Sequence, residues 1–462
     1  MEERRDFIDR NWDAILSDLR TLVSIPSVSV PDEACEGAPF GTQARRAVDA
    51  FVDIARRMGF DASADVADGH FGIFEVPGES DEVLGVIGHV DVVPAGPGWT
   101  VEPFDLTERD GYVLGRGVAD DKGPLLLALW ALKYWTDCSG MEGGSALPHS
   151  VRFIVGSSEE NGMLDIDRYR ALYDDPDFLF TPDAEFPVCH GEKGMFGVEL
   201  TFSAAGRVES PVIAELHAGT VPNAVPGTAF ARIVRDGREE RKDVAGVSAH
   251  ASTPHKGKSA LKMLVAELLR DEAVTGDERR LLELIALVAH DFSGTSLGIE
   301  AHDDFFGALT GVAGTCDLVD DTFSLTYDVR FPTSITGEEL EERVRAALAP
   351  WSDLVDVRIV KCVEPFLVDD ASAPVQALLS AFNEVTGMTA QPFTMGGATY
   401  ARMFANACSF GAEMPWFEFP TWVGAMHGPN EGMSVEQMKQ TLEIYIAAFE
   451  KLFEIELGSH VR

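Results

Sequence analysis

The chain has 462 residues, 45% of them hydrophobic, and carries 76 Asp and Glu against 37 Lys and Arg, a formal net charge of −39. So large an acidic surplus repels phosphate backbones and anionic headgroups, which argues against partnership with nucleic acid or a membrane surface. No apolar stretch approaches the roughly 20 residues needed to span a bilayer, and residues 1–20 lack the apolar core of a secretion signal, so a soluble, cytoplasmic protein is expected. The six cysteines are scattered without a CxxC spacing, as reduced thiols would be.

In chain order, residues 6–23 place Phe7, Ile8, Ile15, Leu16, Leu19 and Val23 at helical spacing, and 42–58 repeat the pattern before Gly59. Short apolar runs at 72–76, 83–88, 151–156 and 178–181 predict buried strands, with an apolar helix at 122–135 that carries Pro124 in its first turn. Strand, helix, strand is the α/β pattern. From about residue 194 the texture changes. Strands are predicted at 195–202, 211–218, 322–331 and 354–361, and helices at 259–270, 277–290 and 337–348, an α+β block. Helical pattern returns at 373–386 and 434–453, and an apolar run at 416–423 precedes His427.

Residues that hold metal recur along this frame: His89, Asp91, Asp120, the pair Glu159 and Glu160, Asp183 and, far downstream, His427. Most stand just after an apolar run, where open α/β sheets place their active sites. In Gly88-His-Val-Asp91 the aspartate lies on the same side of an extended chain as the histidine and would orient its ring. Gly115-Arg-Gly-Val-Ala-Asp-Asp-Lys-Gly123 lacks phosphate-loop spacing; a carboxylate there either caps the next helix or bridges two cations. Of the adjacent Glu159 and Glu160, one can ligate while the other takes a proton. Four carboxylates and two histidines suit a pair of divalent ions, zinc first and manganese or cobalt behind it. For His427 to join the earlier residues, the middle block must be an insertion. The expected architecture is α/β, a mixed and mostly parallel sheet flanked by helices, formed by residues 1–192 with 371–462 and interrupted by an α+β domain at 193–370.

Gly294-Thr-Ser-Leu-Gly298 matches a serine-hydrolase elbow, but it follows a helical stretch where the elbow needs a strand. There is no HExxH.

These motifs, in this order, resemble the co-catalytic zinc exopeptidase and deacylase superfamily, which includes carboxypeptidase G, acetylornithine deacetylase and succinyl-diaminopimelate desuccinylase. Gly307-Ala-Leu-Thr310, Tyr327-Asp-Val-Arg330 and Gly396-Gly-Ala-Thr-Tyr-Ala-Arg402 are most similar to its PepV-type dipeptidase branch. The resemblance implies a zinc exopeptidase-like catalytic domain with 193–370 as its lid, and two zinc ions: His89 and Asp183 on one, Glu160 and His427 on the other, Asp120 bridging. It implies Asp91 orienting His89 and Glu159 as general base toward the metal-bridging water. It makes His250 the oxyanion donor from the lid, with Asn223 beside it, and Arg330 the grip on a substrate carboxylate, with Gly396 and Gly397 in the adjacent turn. An Asp120–Asp121 cis peptide and a monomer are also implied. Ala398, Ser259 and Asn430 depart from the usual residues, none of them at a ligand or the base. The expected activity is hydrolysis of dipeptides with free termini. An N-acyl amino acid deacylase or carboxypeptidase, or a non-catalytic metal- or peptide-binding protein, stands as the alternative.

Overall fold

The computed structural model describes residues 2–138, 147–203, 212–319 and 322–458. Contacts cluster into two units: Met1–His190 with Val368–Phe393 and Thr399–Arg462, and Gly191–Leu367 with Thr394–Ala398. The short piece Thr394–Ala398, expected with the flanking catalytic segments, belongs to the second unit.

Unit 1 opens with α1 (Glu2–Val23), whose buried stripe runs through Phe7, Ile8, Ile15, Leu16, Leu19, Leu22 and Val23. The helix starts four residues ahead of the predicted stripe. Glu2 and Glu3 sit in its first turn, where carboxylates favour the helix dipole, and buried Arg4 is ion-paired with Glu384 and Glu450. Helix α2 (Thr42–Arg57) and strands β1 (Gly72–Val76), β2 (Val83–His89) and β3 (Tyr112–Leu114) follow. Next is α3 (Lys122–Cys138), in which every residue from Leu125 to Leu132 is buried, as befits a helix apolar on all sides. Strands β4 (Ser150–Gly156) and β5 (Phe178–Thr181) complete the first half.

Unit 2 is an antiparallel sheet backed by helices. Its elements are β6 (Gly194–Phe202), β7 (Ile213–Ala218), β8 (Thr228–Arg235), β9 (Arg238–Ala245), α4 (Ala260–Leu268), α5 (Gly276–Val288), β10 (Thr310–Val319), β11 (Thr322–Phe331), α6 (Gly337–Leu348) and β12 (Val355–Val363). The strand order is β9-β8-β7-β10-β11-β6-β12. Apolar residues of the sheet and of α4, α5 and α6 share one core. The predicted strand at 211–218 begins at Ile213 in the structure; Pro211 lies outside the described residues. The 294–298 segment is a turn between left-handed glycines, with the Ser296 hydroxyl donating to the Leu287 carbonyl.

Back in unit 1, α7 (Ala373–Thr386), β13 (Ala407–Ser409), β14 (Gly432–Ser434) and α8 (Val435–Phe453) finish the chain. Five neighbouring strands of the sheet run β1-β4-β2-β5-β13, parallel to one another except for β1, and beyond β13 Cys189 pairs antiparallel with Ser409. The apolar 416–423 run is no strand: it forms turns, and its Phe419 and Trp422 rings pack edge-on against Tyr112. Among the described residues, no helix is long and apolar enough to cross a membrane.

Candidate metal centre

Three parallel strands of unit 1 deliver their C-terminal ends to one edge of the sheet. The register pairs His89 with Gly156 and Val86 with Phe180, so Glu159 and Glu160 follow directly beside His89, and Asp183 comes level with it. Two glycines make room. A Cβ on Gly88 would lie 2.2 Å from the Asp121 carboxylate, and one on Gly156 would lie 2.1 Å from the Tyr400 hydroxyl. Those close approaches serve the site: Asp121 Oδ2 accepts the His89 N–H at 3.0 Å, and the Tyr400 hydroxyl donates to Asp165, which in turn accepts the Ser157 N–H.

Asp120 stands at the middle of the cluster, on a cis Asp120–Asp121 peptide just ahead of α3. Its Oδ1 lies 3.0 Å from His89 Nε2 and its Oδ2 2.8 Å from His427 Nε2. Asp183 Oδ2 is 3.7 Å from His89 Nε2, and Glu160 Oε1 is 3.2 Å from His427 Nε2. Two donor groups result, His89–Asp120–Asp183 and Asp120–Glu160–His427, the ligand atoms of each lying within 4.8 Å of one another. Each offers one nitrogen and two oxygens, a set suited to zinc in a three-ligand site.

The orienting contact on His89 differs in detail from the expectation. Its Nδ1 meets the Asp91 carbonyl at 2.9 Å, whereas the Asp91 carboxylate is 3.5 Å away. A carbonyl only accepts, so in the neutral ring Nδ1 carries the proton and Nε2 turns its lone pair toward Asp120 and Asp183. The Asp91 carboxylate binds the Glu159 and Glu160 N–H groups instead.

Charge in this cluster is unbalanced. Burial and the nearby Asp120 carboxylate push Asp183 up to about 7. Burial, followed by the Asp183 carboxylate, lifts Glu159 well above the ordinary range, and burial and Asp120 raise Glu160. Hydrogen bonds donated to Asp120 and Glu160 hold His427 up at about 11. His89 also rises, because its bonds to Asp120, Asp183 and Asp91 outweigh burial, and the two imidazoles in turn keep Asp120 low despite its burial. Acids retaining protons beside imidazoles retaining theirs describe a site short of positive charge. Divalent cations satisfy that demand.

In unit 2, His250 is exposed, and its Nδ1 accepts the Ser252 N–H at 3.2 Å, which places the proton of the neutral ring on Nε2. Asn223 adjoins it, its carbonyl accepting the Ala251 N–H at 2.9 Å. Arg330 is buried, bonded to Asp328 at 2.8 Å and to the Gly396 carbonyl at 3.2 Å. A Cβ on Gly396 would come 2.6 Å from Ser252 Cβ, while Gly397 lies next in the same turn, beside Met395.

Sequence reasoning missed several residues around the centre. Glu413 pairs in register with Glu185, and burial, with Glu185 and Asp120 behind it, pushes Glu413 up to about 8. No periodicity marks its two-residue strand. Arg116, present in the sequence reading only as a letter of the Gly115–Gly123 motif, forms a buried ion pair with Glu431. Their spacing of 315 residues gives no local signal.

The profile of peptidase family M20/M25/M40 matches residues 85–451. A Beta-Ala-Xaa dipeptidase of Lactobacillus delbrueckii subsp. lactis is 32% identical over 478 residues, an alignment covering 97% of this chain and 98% of that protein. Among solved structures, human carnosine dipeptidase 1 is 16% identical with a TM-score of 0.59, over 98% of this chain and 99% of that one. An M20 family metallo-carboxypeptidase from Sulfolobus solfataricus is 17% identical with a TM-score of 0.62, over 96% and 99%. At those identities the two structures speak to fold alone.

Proposed function

The chain belongs to peptidase family M20/M25/M40, and from that premise we propose that it is a two-zinc dipeptidase acting on small peptides with free termini, β-alanyl dipeptides among them. The observation that carries this reading is Asp120, whose two oxygens belong to two separate three-donor groups, with Glu159 beside both and part of neither. His89, Asp120 and Asp183 would hold one cation, and Asp120, Glu160 and His427 the other, with zinc first and manganese or cobalt as substitutes.

When bound, such a pair lowers the pKa of water toward about 7 and polarises a carbonyl oxygen. Glu159 takes the proton of the attacking water and returns it to the departing nitrogen, and its place in an acid-rich, half-buried setting suits a carboxyl that must do both. Asp91 fixes the Glu159 main chain and the His89 ring. His250, with its proton on Nε2, donates to the carbonyl oxygen as that oxygen gains charge. Arg330, held in place by Asp328, binds the terminal carboxylate, and Asn223, Gly396 and Gly397 shape the turns around these groups. The reading includes a monomer working in the cytoplasm, and a chromatographic mass near 50.1 kDa checks the first point.

The test begins with the chelator-treated protein, reloaded with Zn²⁺, Mn²⁺ or Co²⁺. Two equivalents should bind, and α- and β-alanyl dipeptides should be cleaved while their N-acetylated counterparts are spared. Faster cleavage of the acetylated peptides would turn the assignment to a deacylase. Two bound cations with no turnover of either class would make the chain a binding protein.

A further inference from the structure

Arg116 and Glu431 are almost completely buried, at 1% and 0% exposure, in the wall behind the metal centre. Glu431 Oε1 accepts three main-chain N–H groups from one short stretch, Gly117 at 3.0 Å, Ala119 at 3.0 Å and Asp120 at 3.2 Å. Its Oε2 is bound by Arg116 Nη1. The other nitrogen of the guanidinium, Nη2, reaches the carbonyls of Pro94 and Ala95 at 3.3 Å each and of His427 at 3.1 Å. Antiparallel pairing of β14 with β3, Gly432 opposite Leu114, lays the two segments side by side.

These contacts join two of the three residues of the second cation group, Asp120 and His427. Asp120 is gripped through its own N–H, and His427 through its own carbonyl, by opposite ends of one ion pair. His427 needs such a grip, since its φ of +61° lies in the left-handed region that non-glycine residues seldom occupy. Stability alone is a poor reason for the pair, because desolvating two charges often cancels their attraction. Four donors converging on one carboxylate fix a geometry.

We propose that Arg116 and Glu431 act as a positioning clamp, locking the peptide that bears Asp120 to the turn that bears His427 and so setting how tightly cations are held. The inference rests on the two-metal reading above. His89 depends on β2 and Asp91 instead, so the Asp120–Glu160–His427 group should feel loss of the clamp most.

Arg116→Lys keeps the charge but loses the planar fork that serves Glu431 and three carbonyls. Glu431→Gln keeps an acceptor for the N–H groups but loses the ion pair. Each variant is stripped of metal and titrated with Co²⁺, following visible absorption and chelator competition, beside urea unfolding of the same samples. One of the two equivalents should weaken about 10- to 100-fold with an altered spectrum, the range typical for residues that support ligands from behind. Folded variants that bind both equivalents with parent affinity and parent spectrum overturn the clamp. Should neither variant fold, hydrogen exchange on the parent chain decides. The Gly117, Ala119 and Asp120 amides should be protected before any cation is added, and free exchange there until Co²⁺ arrives refutes a preformed clamp. A parent chain that binds no Co²⁺ removes the metal reading, yet the exchange result still judges the clamp.

Discussion

Asp91 and Glu159 are tied through the main chain, with Asp91 Oδ1 accepting the Glu159 N–H at 3.3 Å while Oδ2 accepts the Glu160 N–H at 3.2 Å. One fully buried carboxylate thus sets the turn that presents both acids, and the carbonyl of the same residue sets the His89 ring. Asp91→Ala should leave two N–H groups unpaired and free that turn, lowering kcat/KM by on the order of 10²-fold and weakening metal retention. Asp91→Asn, with one acceptor oxygen, should fall between. Steady-state kinetics with metal analysis on the same preparations checks the order, and an alanine variant as active as the parent would contradict it.

Glu159 belongs to neither donor group. Replacing its carboxyl with the isosteric amide of Glu159→Gln should therefore leave two cations bound while removing proton transfer. A drop in kcat of about 10² to 10⁴ with metal content unchanged is expected. Loss of one equivalent in the variant would instead make Glu159 a ligand.

The Ser252 N–H donates to His250 Nδ1, so the neutral ring has its donor at Nε2. His250→Ala should lower kcat about 10²- to 10³-fold with both cations still bound, the cost typical of losing one oxyanion donor. Unaltered kcat with a raised KM would show ground-state binding instead.

The parallel sheet and the acidic and imidazole residues at its edge were legible for a common reason. Strands buried on both faces are continuous apolar runs, and His89, Glu159, Glu160 and Asp183 each follow such a run by a few residues. Convergence of His427 across hundreds of residues had no local signal and was expected only from a shared metal and from the motif resemblance. The hairpin of β8 and β9 was not legible, because β9 is a sheet-edge strand that opens on six consecutive charges of mixed sign, Arg238-Glu-Glu-Arg-Lys-Asp243, with no apolar alternation there to betray it. One signal was present: Asp236-Gly237, both at positive φ, is the dipeptide favoured in tight hairpin turns. The clamp residues Arg116 and Glu431 and the carboxyl of Glu413 were illegible for a different reason. Burial of charge is a property of the assembled site, and no local pattern encodes it.

Asp165 belongs to neither donor group. Its Oδ2 accepts the Tyr400 hydroxyl at 2.6 Å and the Ser157 N–H at 2.8 Å, and Oδ1 has no hydrogen-bond partner among the described residues. Burial, aided by the Asp91 carboxylate, pushes the group up to about 6 from 3.8. A carboxyl raised in the folded state binds more protons there than in the unfolded chain between those two values. Its contribution to stability therefore falls as pH rises from about 4 to 6, by at most about 3 kcal/mol, and stays low above that. Asp165→Asn presents one oxygen to the same two donors and has nothing to ionise. Relative to the parent, the variant should gain stability between pH 4.5 and 7, read as a rising difference in urea midpoints. A difference that stays flat over that interval, with both proteins folded, would mean that Asp165 ionises as an ordinary carboxyl.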